Sequence, residues 1–219
     1  MASHWFRLYR DDFAAKASSP SLRRSINRVI YVREGQVYVR ARGQCAALGA
    51  NSAWHGAVAC ELDAGTNGAS LLRWEISSSD EPPALVSGAG VDSSLTLERQ
   101  IELNDAYLLR CDRVDFPLGG IAYTHTHQGP GIRCLLTGKI LIQIEGATIT
   151  INPGGAWFEA GPSPVYALAS SEALTGFVRV MILPRTLKGK SSIRYVLPED
   201  QDKPKLQKYQ LFLDEDIAL

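Results

Sequence analysis

The chain contains four histidines, His4, His55, His125 and His127, and only the last two stand together. They lie in GGIAYTHTHQGPGIRCLLTGKILIQIEG (119–146), a stretch punctuated by glycine and rich in isoleucine and leucine. Residues two apart on a strand face the same way. His125 and His127 are therefore expected on one face, with Tyr123 and Ile121 beside them. Two imidazoles so placed can grip one borderline divalent ion. Without an ion they can act as hydrogen-bonding or acid–base groups near neutrality. No G-x-S-x-G elbow, phosphate loop, dinucleotide fingerprint or supported Cys–His nucleophile pair accompanies them.

Strands must position this pair. From Val29 onward the chain consists of short β-rich runs, among them VIYV, QVYVRA, SLLRWEI, AYLLRC, GKILIQI, ATITI and GFVRVMIL. Alternation at Val37, Val39, Ala41 and at Ile140, Ile142, Ile144 is the period-2 mark of strands with one face on a core. Helical periodicity is nearly absent past the first thirty residues, where DDFAAKA reads as a short helix capped by its aspartates. The class is all-β.

An internal repeat underlies the pattern. An offset of 103 residues carries Gly35 to Gly138, Val37 to Ile140, Val39 to Ile142, Gly43 to Gly146, Leu48 to Ile151 and Ala53-Trp54 to Ala156-Trp157. LLRWEI and FVRVMIL follow at similar distances. The organisation expected is a basic N-terminal arm (1–28), a first β-unit (29–76), a linker (77–103), a barrel (104–185) and a C-terminal extension (186–219). The acidic end and basic start would either meet or be solvated separately.

Lys plus Arg is 23 and Asp plus Glu is 23 in 219 residues, which argues against nucleic acid or an anionic membrane as the main partner. The first residues show no secretory signal, and no apolar run reaches about 18 residues, so a cytoplasmic location is expected. Cys45, Cys60, Cys111 and Cys134 then read as reduced, mostly buried thiols. Exposed strand edges suggest a homodimer.

The 119–146 stretch resembles the first motif of the cupins, G-x5-H-x-H-x3,4-E-x6-G, in the order Gly119, His125, His127, Gly131, Gly138. INPGGAWFEAGPSPVYAL (151–168) looks like the second motif, and residues 29–76 like a degenerate half. The resemblance implies a jelly-roll barrel, a double-stranded β-helix, with a partial duplicated N-terminal unit. It also implies a divalent metal (Fe, Mn, Ni or Zn) at His125 and His127. Two departures stand out. Gly131 replaces the glutamate ligand, and no histidine follows His127, leaving Pro164, Val165 and Tyr166 nearest the lost slot. Glu159, Tyr166, Gln128, Tyr123 and His55 are the candidates for completing a site or its wall. Arg133, two residues past the lost glutamate, should face the same cavity and bind a carboxylate. Trp54 and Trp157 read as core aromatics. Three functions follow. One is a metal-dependent oxygenase, lyase or isomerase acting on a small organic acid. The second is a metal-free cupin that binds or senses a small ligand, and the third is an assembly protein that has lost its chemistry.

Overall fold

The computed structural model describes residues 2–78, 80–103 and 106–219; the expected start of the barrel, residue 104, lies outside these. The chain divides into two compact units, Met1–Asn104 with Leu219, and Asp105–Ala218. Among the described residues there is no α-helix, and no helix is long and apolar enough to cross a membrane.

The first unit contains β1 (Ala2–Phe13), β2 (Asn27–Ala41), β3 (Gln44–Gly49), β4 (Ser52–Gly56), β5 (Cys60–Ser78) and β6 (Val91–Leu103). They form one antiparallel sheet in the order β3-β2-β5-β1-β6, with β4 also paired to β2. Val37, Val39, Leu62 and Leu71 pack in its core with Phe13 and Ile30. Two expectations are corrected here. Residues 1–28 supply β1, and Asp11 to Phe13 end that strand instead of capping a helix, because β5 and β6 take both edges of the backbone. The end of the expected linker is β6, paired to β1. Four basic side chains of this segment pair with acids of the same unit, Arg7 with Glu98, Arg10 with Asp12, Arg23 with Glu81 and Arg28 with Glu75.

The second unit contains β7 (Tyr107–Phe116), β8 (Ile121–His127), β9 (Gly131–Thr137), β10 (Ile140–Ile144), β11 (Ala147–Ile151), β12 (Ala156–Glu159), β13 (Val165–Ala169), β14 (Thr175–Pro184), β15 (Ile193–Tyr195) and β16 (Lys208–Ile217). Two five-stranded antiparallel sheets result, β11-β10-β13-β8-β15 and β12-β9-β14-β7-β16. Val114, Phe116, Leu135 and Phe177 from one sheet pack with Ile140, Ile142, Val165 and Ala167 from the other. This is a jelly-roll sandwich whose core lies between inward-facing alternate residues. The expected C-terminal extension proves integral, since β15 and β16 each add an edge strand. Its Asp214 pairs with Arg110 and its Asp216 with Lys188, inside the same unit.

The repeat is visible in the pairing itself. Val37 faces Leu48 as Ile140 faces Ile151, and Ile30 faces Trp54 as Arg133 faces Trp157. The two hairpins turn through Arg42-Gly43 and Glu145-Gly146, all four residues at positive φ, the signature of a type I′ turn. Gly35 and Gly138 sit at equivalent bends, at φ 75 and φ 73. A Cβ at Gly35 would collide with the Gly68 carbonyl, and one at Gly138 with Thr175. Both the left-handed backbone and the close approach therefore demand glycine. In the first unit β2 runs through this bend as one strand, whereas in the second the corresponding residues form β9 and β10.

Candidate functional site

Both histidines are buried on β8, at 6% and 2% exposure for His125 and His127. Their Nε2 atoms approach to 3.2 Å, with the rings edge to face. The His125 Nδ1–H donates to the Tyr123 carbonyl at 2.7 Å. A neutral His125 therefore presents an Nε2 lone pair, which accepts from His127 Nε2–H. His127 Nδ1 in turn lies 3.4 Å from the Ser192 hydroxyl, which donates to it. The result is a one-directional chain from Ser192 through both rings to a backbone carbonyl.

Burial pushes the pKa of His127 well below its usual value, and the cations of Arg133 and Arg179 push it the same way. Burial also lowers His125, opposed in part by Glu159 and the Tyr123 bond. Both rings are neutral at pH 7. An unfolded chain takes up protons near pH 6.5, whereas these buried rings resist them. Stability contributed by the neutral rings is thus complete above pH 6.5. It falls as pH drops from there toward the lowered values, by at most about 1.4 kcal/mol per pH unit for each proton. Urea unfolding between pH 7 and 5 should show this slope, and His127→Gln should flatten it.

Opposite the rings, Arg133 on β9 is fully buried. Its Nη1–H donates to the Gly131 carbonyl at 2.6 Å, and Nη2 lies 2.5 Å from Glu159 Oε2. Burial pushes its pKa down to about 10 against the attraction of Glu159, leaving it charged at neutral pH. Glu159 on β12 accepts from Trp157 Nε1–H at 2.8 Å, and its Oε2 is 3.5 Å from His127 Nε2. On β14, Arg179 forms a two-pronged pair with Asp112 of β7, at 2.6 and 3.0 Å. Burial works against the Arg179 cation, but Asp112 outweighs it and its pKa is raised.

These side chains line an interior cavity of about 30 Å³, the space of roughly one water. Arg133 Nη2, Glu159 Oε2 and Gln207 Oε1 face it without an aligned hydrogen-bond partner in the protein. The first two are the ends of the 2.5 Å ion pair, so each charge is answered by the other. A second cavity of about 380 Å³ shares Arg179, Ile193, Tyr195 and Tyr209 with the first.

The structure thus brings together His125, His127, Glu159 and Arg133. It places four expected neighbours otherwise. Tyr166 lines an outer groove with Gln143 and Pro164, because its neighbours Val165 and Ala167 take the inward positions of β13. Tyr123 contributes its carbonyl, while its ring lies under Lys203. The cause is a bulge: Val165 pairs with His125 but Ala167 with Ala122, so β8 carries one extra residue and strand parity breaks at Tyr123-Thr124. Ala122 lines the cavity in its place. Gln128, in the turn after β8, lines neither cavity. His55 belongs to β4, where it bonds Asn27. Trp157 is a core aromatic as expected and also holds Glu159. Cys60, Cys111 and Cys134 are buried, whereas Cys45 is exposed.

Sequence reasoning missed Arg179, Asp112 and Ser192. A lone arginine within the apolar run GFVRVMIL was the available signal, since a charge is kept in such a strand only with a partner.

The donor set tests the expected metal. Separations of 3.2 and 3.5 Å suit neighbouring ligands of an ion held at about 2.1 Å. Glu159 Oε2, however, is committed to Arg133, and two guanidinium groups oppose a dication. Among the described residues no group of three His, Cys, Asp or Glu side chains is arranged to hold a metal. The chain offers two imidazoles, which do not amount to a complete protein shell for a resident ion.

No family model matches the sequence, and no curated protein matches it. Solved structures match the fold. A variant oxalate decarboxylase from Bacillus subtilis aligns with a TM-score of 0.66 and 10% identity, over 92% of this chain and 80% of the other. AerE from Microcystis aeruginosa gives 0.59 and 15%, over 82% and 88%. Salicylate 1,2-dioxygenase from Pseudaminobacter salicylatoxidans gives 0.56 and 9%, over 95% and 75%. Identities this low speak to fold alone. The structural neighbours are cupins, and the chain has the cupin jelly-roll fold.

Proposed function

We propose that the second unit takes up a small organic acid and acts on it with the His125–His127 pair. The observation that carries this reading is the cavity's polar lining, the buried Arg133–Glu159 ion pair and the unpartnered Gln207 Oε1, gathered around two neutral imidazoles. Buried polar atoms left without protein partners are the places where a ligand or ordered water is bound. The cavity takes little more than the reacting end of a ligand, so the body must rest in the larger chamber outside. His125 Nε2, with its proton-bearing Nδ1 fixed on the Tyr123 carbonyl, is oriented as a base. Two proteins of the same fold, oxalate decarboxylase and salicylate 1,2-dioxygenase, act on small organic acids by name, which agrees with this class.

A metal-dependent oxygenase, lyase or isomerase is the second reading, favoured by the 3.2 Å approach of two Nε2 atoms. Fe, Mn, Ni or Zn would bind His125 and His127 and act as a Lewis acid toward the acid group. Elemental analysis of untagged protein, dialysed against a weak chelator, separates the two. Two imidazoles beside two guanidiniums should retain less than about a tenth of an equivalent. A full equivalent, lost in His125→Ala, would replace the first reading with the second. Partners and place are proposed as a small ligand, a homodimer and the cytoplasm.

A further inference from the structure

The outer chamber has a composition of its own. Arg110, Asp112, Arg179, Lys190, Lys205 and Asp214 supply its charge, and Ile193, Tyr195, Tyr209 and Leu211 its apolar surface. Both aspartates are spent. Asp112 is clamped by Arg179, and Asp214 by Arg110, whose remaining N–H groups donate to the Lys190 and Leu187 carbonyls. Lys190 and Lys205 have no acid partner among the described residues. The Lys205 ammonium donates to the Asp200 and Gln201 carbonyls and lies 4.4 Å over the Tyr195 ring. The chamber therefore has an excess of two positive charges, both from lysines.

Its apolar side is open. Tyr209 and Leu211 are 50% and 55% exposed, although they belong to a strand paired along β7. Large apolar side chains left uncovered beside unpaired cations, in a chamber of about 380 Å³, match the make-up of a small-molecule site. The Arg110 and Arg179 forks are engaged with their aspartates, so attraction of an anion falls to the lysine ammoniums. Point charges draw in a carboxylate or a phosphate alike, and the carboxylate follows from the organic-acid function proposed above.

We infer that the chamber binds a monocarboxylate with an apolar, ring-sized body. The body lies on Tyr195, Tyr209 and Leu211, and Lys190 and Lys205 attract the acid. This rests on the proposed organic-acid function and narrows its ligand class.

Calorimetric titration with phenylacetate, phenylacetamide and acetate tests it. Phenylacetate should bind, and the neutral amide and the body-less acetate should each bind at least about tenfold more weakly. Lys190→Met, whose ammonium has no acid partner among the described residues, should weaken phenylacetate several-fold, and Lys190→Met/Lys205→Met about tenfold with a smaller salt dependence. Tyr209→Ala should weaken phenylacetate but not acetate. Absence of phenylacetate binding, equal binding of the amide, or an unchanged affinity in the double lysine variant would overturn the inference. The His125 and His127 ring signals, followed by NMR in the same titration, report on the inner site separately. Binding that leaves them unmoved keeps the chamber and removes the histidine reading.

Discussion

Arg133→Met should lower the unfolding free energy of the second unit by about 3–5 kcal/mol, and adding Glu159→Gln should restore more than half of that loss. The residue lies at 0% exposure with its Nη2 2.5 Å from Glu159 Oε2. Removing one partner of a buried ion pair leaves the other charge without compensation, and this dominates the loss. Methionine fills much of the same volume, so the cavity term stays small. Glutamine in place of Glu159 removes the stranded charge yet can still accept from Trp157 Nε1–H. Hydrogen exchange of the β9 and β14 amides, read against urea, confines the measurement to this unit, because a two-unit chain need not unfold in one step. If the single variant is as stable as the parent, Glu159 is not held as an anion by Arg133. The result also bears on ligands. Sequence reasoning assigned Arg133 to a substrate carboxylate, but its charge is first answered by Glu159, leaving one N–H direction for an incoming group.

The fold was legible because its signals are local and repeated. Glycines at positive φ, two-residue turns and alternating isoleucines each act over a few residues, and the offset of 103 made one copy confirm the other. The site was legible only in part. His125 and His127 keep their common face because no irregularity falls between them. Tyr123 lost it because a bulge two residues earlier in the strand adds one residue, and period-2 reasoning has no means of seeing a bulge. Tyr166 failed for a different reason. Its alternation with Val165 and Ala167 was visible, but which set faced inward depended on the opposing sheet. Glu159 came within reach as a candidate, yet its binding to Arg133 is set by pairing between β12 and β9, a contact across 26 residues. Segment boundaries missed most. Strands β1, β6, β15 and β16 sit at or near sheet edges or chain ends, where hydrophobic patterning is weakest.

The second large effect is expected in the first unit, at the position equivalent to Arg179. Arg73 stands opposite Ile30 as Arg179 stands opposite Arg133, and 30 and 133 are related by the same offset. Each is an arginine inside an apolar strand clamped by a buried aspartate, Asp11 at 2.7 Å in one unit and Asp112 at 2.6 Å in the other. Arg73 also reaches Glu75 at 2.7 Å, and Glu75 is held independently by Arg28 at 2.6 Å. Arg73→Met should therefore cost the first unit about 3–5 kcal/mol, nearly all of it through Asp11. Among the described residues Asp11 would retain only the Ser93 hydroxyl, whereas Glu75 would retain Arg28. Asp11→Asn should then rescue Arg73→Met, and Glu75→Gln should not. Hydrogen exchange of the β2 and β5 amides measures both double variants. Rescue by Glu75→Gln instead would show that the two carboxylates share one charge network centred on Arg73. The comparison also separates structure from function within the repeat. For Arg73 and Arg179 the acids outweigh burial and raise the pKa, so their charges are satisfied by the fold. For Arg133 burial wins and the pKa falls. Both Arg133 and Arg179 line the histidine cavity, and under the proposed function Arg133, the less completely answered of the two, has the N–H direction that a ligand acid would take up.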